Sequence, residues 1–250
     1  VIGLHPSALP RKTLEEEAVG MICEGEGFYT VLDLLSERPL SEIKGLWYKR
    51  NNHISANPRA ELVNPDDLAM PAWDLLPMHK YRAHNWHCFG RLDKRSPYGV
   101  IYTSLGCPFS CSFCCINAIF GERKIRYRDP KKVIADIDYL VRNYNIKNIK
   151  ILDEMFDLNE NHVIEICDLI IERKYDLNIW AYARVDTINE RKLAKMKQAG
   201  INWLGIGFES ANKNIREGSS KGRFTNEKVR EVVKKVQAAG IYIGEGRIQA

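Results

Sequence analysis

Three cysteines fall within eight residues in Cys107-Pro-Phe-Ser-Cys111-Ser-Phe-Cys114, a CxxxCxxC triplet whose side-chain type and spacing can do chemistry. A nucleophilic thiol needs one cysteine and a base, so three at this spacing point to metal. Pairing two of them as a disulfide leaves one thiol over and calls for an oxidising compartment, for which nothing else in the sequence argues. Structural zinc wants four ligands in two separated pairs, and no second CxxC or HxxxH follows at finger spacing. Iron–sulfur clusters are held by closely spaced thiolates, typically four. Three on one loop, without an evident fourth, leave one iron open to a small molecule. An open site means catalysis.

Such a loop needs a scaffold, and the sequence from residue 100 onward describes one. Val100 to Ser104 reads as a strand ending just before the cysteines. Asp129-Pro130 then supplies an N-cap and a proline at the first helical position. Val133, Ile137, Leu140, Val141 and Tyr144 follow at helical spacing. Further strands are expected at 148–152, 178–185 and 201–208 and from Ile241, with helices at 160–174, 189–199 and 226–239, the last capped by Thr225. Ala199-Gly200-Ile201 and Ala239-Gly240-Ile241 repeat one junction, a helix closed by glycine and feeding a strand. Strands alternating with helical crossovers make a parallel α/β arrangement, an open sheet or a barrel, and periodicity does not separate the two. In both, chemistry collects at the C-terminal ends of the strands.

The composition is that of a globular protein: 250 residues, 45% hydrophobic, 28% charged, 37 Lys+Arg against 32 Asp+Glu. A net charge of +5 is mild and does not imply nucleic acid. No run of about 18 apolar residues occurs, so no membrane span is expected in this stretch. Val1-Ile2-Gly3 reads as the end of a buried strand and the last residues as a strand starting its loop, so both ends read as cut. Residues 14–18 and 28–36 read as helices, 20–23 as a strand, and 46–49 with 53–56 as a hairpin around Arg50-Asn51-Asn52. Pro58, Pro65, Pro71 and Pro77 mark a linker, with Trp73, Leu75 and Leu76 as its expected anchors. The expected domains are therefore residues 1–57, a linker at 58–97, and 98–250.

The cysteine triplet, with Phe113 just before its third member and a strand of a (βα) series just before its first, resembles the radical S-adenosylmethionine superfamily. The resemblance implies that Cys107, Cys111 and Cys114 bind a [4Fe–4S] cluster whose fourth iron is chelated by S-adenosylmethionine. Reduction would then cleave the sulfonium to methionine and a 5′-deoxyadenosyl radical. It extends downstream. Ile151-Leu152-Asp153-Glu154 stands where the family places the backbone that holds the methionine amino group, with Asp153-Glu154 in place of two glycines and a glutamate. Ala183-Arg184-Val185-Asp186 matches a position facing the cofactor, and Gly205 to Ser210 resembles the glycine-containing strand near the adenosine. Lys221-Gly222 with Thr225 follows. Phe113, Asp153, Glu154, Arg184, Glu209 and Ser210 are thus the implied cofactor neighbours. The plainer alternative is structural: Gly205 and Gly207 permit close packing, and Arg184 pairs with Glu209.

Residues 1–40 resemble the last part of a cobalamin-binding domain of the kind fused ahead of one branch of this superfamily. The matching pieces are Val1 to Ser7, Thr13 to Glu16 and Cys23 to Gly27. The histidine motif of such domains would lie upstream of Val1, and His5 is not that histidine. The fold class implied is α/β: a partial (βα) barrel preceded by the C-terminal part of a Rossmann-like cobalamin-binding domain. The function implied is that of a cobalamin-dependent methyltransferase or a related bond-forming enzyme. The [4Fe–4S] cluster, S-adenosylmethionine and cobalamin would be its cofactors. A small-molecule substrate and a one-electron donor such as flavodoxin or ferredoxin are the expected partners, in the cytoplasm, and nucleic acid is not.

Two rivals stay open. A methylthiotransferase acting on tRNA would need further cysteines and an RNA-binding domain. A non-catalytic zinc or nucleic-acid module would use the cysteine loop together with the basic run Arg123, Lys124, Arg126, Arg128, Lys131 and Lys132. That run reads more simply as a solvated loop and helix start. His84-Asn-Trp-His87-Cys88 reads as packing rather than a metal clip, and Cys115 as a buried neighbour of the motif.

Overall fold

The computed structural model describes residues 1–219 and 224–247, so Lys221-Gly222 lies outside the described residues. Contacts divide the chain into two compact units, residues 1–68 with 106–124, and residues 69–105 with 125–250.

In the first unit α1 (Leu4–Ala8) and α2 (Pro10–Glu16) lead into β1 (Met21–Cys23), and α3 (Phe28–Leu35) precedes the hairpin of β2 (Leu46–Arg50) and β3 (His53–Ala56). Asn51 and Asn52 turn that hairpin at φ 50 and 63, the left-handed values a tight turn between twisted strands requires. The sheet runs β1-β2-β3, antiparallel throughout. Ile2 makes a single parallel bridge to Cys23, so α1 and α2 form the crossover of one βαβ step. Val1 and Ile2 nevertheless stand 58% and 50% exposed, which corrects the expectation of a buried strand end: the bridge is isolated, and their outer sides are uncovered among the described residues. Leu14, Ile22, Ile43 and Leu46 are fully buried and make the core. The 106–124 segment of this unit holds one short helix, α4 (Asn117–Phe120).

The second unit carries β4 (Tyr98–Ile101), the short strands β5 (Ser104–Gly106, which ends at the boundary) and β6 (Ile125–Tyr127), then β7 (Asn148–Ile151), β8 (Asn178–Arg184), β9 (Ile201–Glu209) and β10 (Tyr242–Arg247). Its helices are α5 (Pro130–Tyr144), α6 (Glu160–Arg173), α7 (Glu190–Gln198), α8 (Lys213–Gly218) and α9 (Asn226–Ala238). The main sheet is ordered β4-β7-β8-β9-β10, and every pair is parallel. Doubly wound sheets reverse their order at a switch point, whereas barrels run in sequence. This order runs in sequence. Right-handed crossovers then put the helices on one face, where α5 packs on α6 and α6 on α7. β4 and β10 are not paired with each other, so the unit is a partial (βα) barrel.

The caps explain where the helices start. Asp129, Asn159, Asn189 and Thr225 each accept a backbone N–H from the first turn of α5, α6, α7 and α9. Gly200, at φ 88, ends α7: a Cβ there would stand 2.3 Å from the Leu177 carbonyl oxygen. Burial alternates along β8. Ile179, Ala181 and Ala183 face the helices, while Trp180 and Tyr182 face the inner side.

The proline-rich segment is anchored differently from expectation. Trp73 and Met78 are buried, with Trp73 stacked on Tyr139 at 5.8 Å, whereas Leu75 and Leu76 are exposed. Residues 73–75 and 78–80 are single 3₁₀ turns, so only one side of each meets the protein. No helix among the described residues is long and apolar enough to cross a membrane.

Candidate active site

Two places carry chemistry, one in each unit. In the first unit the cysteine loop is short and locally bonded. Cys114 N–H donates to the Cys111 carbonyl at 3.0 Å, and the Asn117 amide donates to the Phe109 carbonyl at 3.2 Å. α4 follows at once and ends at Gly121, which takes φ 69. The guanidinium of Arg59 closes that end. Its Nη2 donates to the Ala118 carbonyl at 2.6 Å and also to that of Ile119, and its Nη1 lies 3.5 Å from Glu24. Glu24 in turn accepts from the Trp47 indole at 2.7 Å. A Cβ at Gly121 would stand 2.9 Å from the guanidinium carbon, so glycine makes room for the clamp. Cys107, Cys111 and Cys114 are not in disulfides; the first two are half-buried and the third exposed. Cys115 is exposed too, a correction to the expectation of burial: it stands before α4, outside the core that Phe120 enters. Among the described residues no three His, Cys, Asp or Glu side chains are gathered closely enough to hold a metal ion.

In the second unit a cavity of about 340 Å³ opens on the inner face of the sheet, lined on its aromatic side by Trp86, Trp180 and Tyr182. Glu154 and Arg184 line it at the strand ends, and Gly205, Gly207 and Gly244 give it a wall of bare backbone. Two of these glycines are sterically required. A Cβ at Gly205 would stand 2.7 Å from the Tyr182 ring, and one at Gly244 would stand 2.6 Å from the Trp180 ring. Trp180, Trp203 and Tyr242 are register partners on β8, β9 and β10, and the two indoles stack at 5.2 Å. A strap closed by reciprocal bonds between Ala83 and Arg95 brings Phe89 and His87 against this row.

A sequence profile described as the Radical SAM superfamily matches residues 101–246, more than half of the chain. The chain belongs to the radical SAM superfamily. Among its relatives is an uncharacterized methyltransferase of Pyrococcus horikoshii, 35% identical over 246 residues, covering 96% of this chain and 51% of the relative. An anaerobic magnesium-protoporphyrin IX monomethyl ester cyclase of Synechocystis is 27% identical, covering 82% of this chain and 41% of the relative. The fold matches that of the cobalamin-dependent S-adenosylmethionine radical enzyme OxsB at a TM-score of 0.78 and 24% identity, over 99% of this chain and 36% of that one. The chain thus spans about half, or less, of the length of these curated relatives.

The structure of this radical SAM chain puts the residues singled out by sequence in distinct settings. Phe113 is about half exposed on the cysteine loop. Asp153 is fully buried: its carboxylate accepts from Thr103 N–H at 2.6 Å, Thr103 Oγ1 at 2.5 Å and Ser104 Oγ at 2.6 Å. Burial pushes its pKa up against those hydrogen bonds. It ties the end of β7 to the segment after β4. Glu154 lines the cavity. Arg184 lines it as well and holds Asp186 through two bonds of 2.9 Å. Glu209 ends β9 in a left-handed conformation, φ 63, and is buried. Ser210 accepts from Asn212 N–H through its hydroxyl and from Arg216 through its carbonyl. Nearby, Thr187 donates to Asp157 at 2.7 Å and Lys192 stands 3.6 Å from the same carboxylate. Burial outweighs that lysine and pushes Asp157 up to about 6.

Sequence reasoning missed Arg59, which sits 59 residues before its acceptor, beyond any local pattern. Within the basic run Arg123, Lys124, Lys131 and Lys132 are exposed, as the plain reading has it, but Arg128 departs from it, buried against Asp136 at 2.7 Å. His87 is likewise packing: it exchanges bonds with Asn178 and rests on Tyr98 and Trp180.

Proposed function

We propose that this chain is the catalytic part of a radical S-adenosylmethionine enzyme of the cobalamin-dependent methyltransferase type. The observation that carries the reading is the loop of three cysteines in CxxxCxxC spacing, none of them in a disulfide, within a chain of this superfamily. The donor set fits an iron–sulfur cluster in kind: sulfur alone, none of it in a disulfide, with no second ligand pair that zinc would use among the described residues. The cavity of about 340 Å³, walled in part by the bare backbone of Gly205, Gly207 and Gly244, is in the size range of small-molecule sites and fits a cofactor such as S-adenosylmethionine. Bound together, the cluster and S-adenosylmethionine supply a reductively generated 5′-deoxyadenosyl radical.

The chain's own residues then have defined work. Cys107, Cys111 and Cys114 hold the cluster, and Phe113 screens it. Arg59 fixes the helix end behind it. Asp153 fixes the strand end next to Glu154, and Glu154, Arg184, Glu209 and Ser210 are the polar groups offered to the cofactor. Cobalamin is a different matter. The cleft beside Gly25 to Tyr29 and Arg59 to Val63 has a volume of about 10 Å³, so these residues do not enclose a corrin. We therefore assign cobalamin to the whole protein, on the likeness to enzymes named as cobalamin-dependent and to a relative named as a methyltransferase, and route no step through it. A small-molecule substrate, a flavodoxin- or ferredoxin-like electron donor and a cytoplasmic setting complete the proposal.

Anaerobic reconstitution with iron and sulfide tests it. About four irons and four sulfides per chain are expected, with an electron paramagnetic resonance signal of the reduced protein that changes on adding S-adenosylmethionine. Stoichiometric zinc in a colourless protein would overturn it.

A further inference from the structure

Arg184 is the last residue of β8, buried, and among the residues that line the cavity. Two grips hold it. Asp186 takes the guanidinium, accepting from Nε and Nη2 at 2.9 Å each. The second grip is on the backbone. The Arg184 N–H donates to the Thr187 hydroxyl oxygen at 3.3 Å, and the Thr187 N–H donates to the Arg184 carbonyl at 3.3 Å. That hydroxyl lies 2.7 Å from each oxygen of the Asp157 carboxylate and 3.0 Å from the Arg184 carbonyl. A hydroxyl has one proton and an ionised carboxylate only accepts, so the nearer, charged group takes it. The hydroxyl oxygen is left to receive the Arg184 N–H.

Behind the hydroxyl stands a buried charged pair. Asp157 belongs to the 3₁₀ turn Phe156–Leu158 after β7, and Lys192 to the start of α7. Their side chains are 1% and 3% exposed, with the ammonium 3.6 Å from the carboxylate. The ammonium also donates to the main-chain carbonyls of Asp157 and Thr187, the latter at 2.6 Å. Burial pushes Asp157 up to about 6 while Lys192, the Thr187 hydroxyl and the Arg184 N–H pull it down, so it is ionised at pH 7. One lysine thus ties together the segment after β7, the turn after β8 and the start of α7. Neither Asp157, Thr187 nor Lys192 lines the cavity. A buried pair stabilises a fold little better than apolar side chains of equal volume, so stability alone does not account for it.

We propose that Thr187, Asp157 and Lys192 are positioning residues for cofactor binding: the buried pair sets the turn after β8 through the Thr187 hydroxyl, and that turn sets Arg184 to receive the carboxylate of S-adenosylmethionine. The carboxylate is the anionic group of this ligand, its sulfonium and ammonium being cations. This rests on the reading above, which makes Arg184 a cofactor neighbour, and the two fail separately in the test.

Equilibrium dialysis of the reconstituted 250-residue chain against S-adenosylmethionine, without reductant, reads affinity rather than turnover. Arg184→Met should weaken binding about tenfold, the loss of a charge-assisted bond. Thr187→Val keeps the shape without the hydroxyl and should weaken binding about fivefold, with Thr187→Ser restoring it to within about twofold of the parent. Asp157→Asn combined with Lys192→Met leaves no buried charge uncompensated and should also weaken binding about fivefold. In an Arg184→Met background Thr187→Val should add less than about twofold, because both act through one contact. A folded Thr187→Val chain that binds like the parent would overturn the proposal. So would an undiminished effect of Thr187→Val on top of Arg184→Met, the mark of general loosening. A loaded parent that does not bind S-adenosylmethionine, or Arg184→Met that binds like the parent, would overturn the reading of the cofactor site and this inference with it.

Discussion

The guanidinium of Arg59 lies between the Glu24 carboxylate and the carbonyls that end α4, a few residues after the last cysteine of the triplet. Charge-assisted bonds of this sort are the stronger ones, and a cation suits the negative end of a helix. We expect Arg59→Met to fold yet hold less iron after reconstitution and to bleach faster in air, with Arg59→Lys restoring part of the loss. Equal iron content in parent and Arg59→Met would remove Arg59 from the site. His87 makes a pH argument at the same scale. Burial pulls its pKa from 6.5 down to about 4, against the Asn178 carbonyl, which favours the charged form. The unfolded chain takes up a proton as pH falls through about 6.5, and the folded chain only near 4, so the contribution is complete above about 6.5 and is lost on acidification. Relative to His87→Phe, the parent should therefore lose about 2–3 kcal/mol between pH 7 and pH 4.5, read from urea midpoints. A difference independent of pH would show that the imidazole titrates normally.

At the scale of elements, the glycine junctions were readable and the amide chemistry between strands was not. Ala199-Gly200-Ile201 is a local pattern, and the structure realises it with Gly200 at φ 88 against the Leu177 carbonyl. Gly200→Ala should destabilise the second unit by about 2 kcal/mol or more, because strain and a backbone collision add; an unchanged melting temperature would contradict that. Asn148, Asn178 and Asn202, one from each of three neighbouring strands, link side chain to side chain at 3.0 and 3.2 Å. Asn178 also donates to the His87 carbonyl, which pins the strap. Each asparagine alone looks like a polar strand start, so only the parallel register reveals the ladder. Asn178→Leu leaves buried partners unmet and should cost about 2–4 kcal/mol, whereas the exposed Asn143→Leu should be near neutral. The anchors of the proline-rich segment were misread for a related reason. Hydrophobicity marked Leu75 and Leu76, but a single 3₁₀ turn presents one side, and Trp73 and Met78 occupy it.

At the scale of the molecule, the alternation of strand and helix was legible because apolar periodicity, caps and glycine stops agreed along residues 98–247. Whether the sheet was open or barrel-like was not legible, because strand order is a long-range property that local sequence does not encode. The sequential order β4-β7-β8-β9-β10 decided it. The cysteine triplet was legible from spacing alone, while its support by Arg59 required the fold. In the first unit α3 buries only Thr30 and leaves Leu32 and Leu35 exposed, an apolar face its amphipathic pattern does not predict.

The proposed activity is radical chemistry run from the cysteine loop. The most direct measurement is 5′-deoxyadenosine formed by the reconstituted, reduced protein with S-adenosylmethionine, beside Cys111→Ala prepared in the same way. Product from the parent and none from the variant is the expected result. A parent chain carrying its full complement of iron and sulfide, yet giving no more product than the variant, would contradict it.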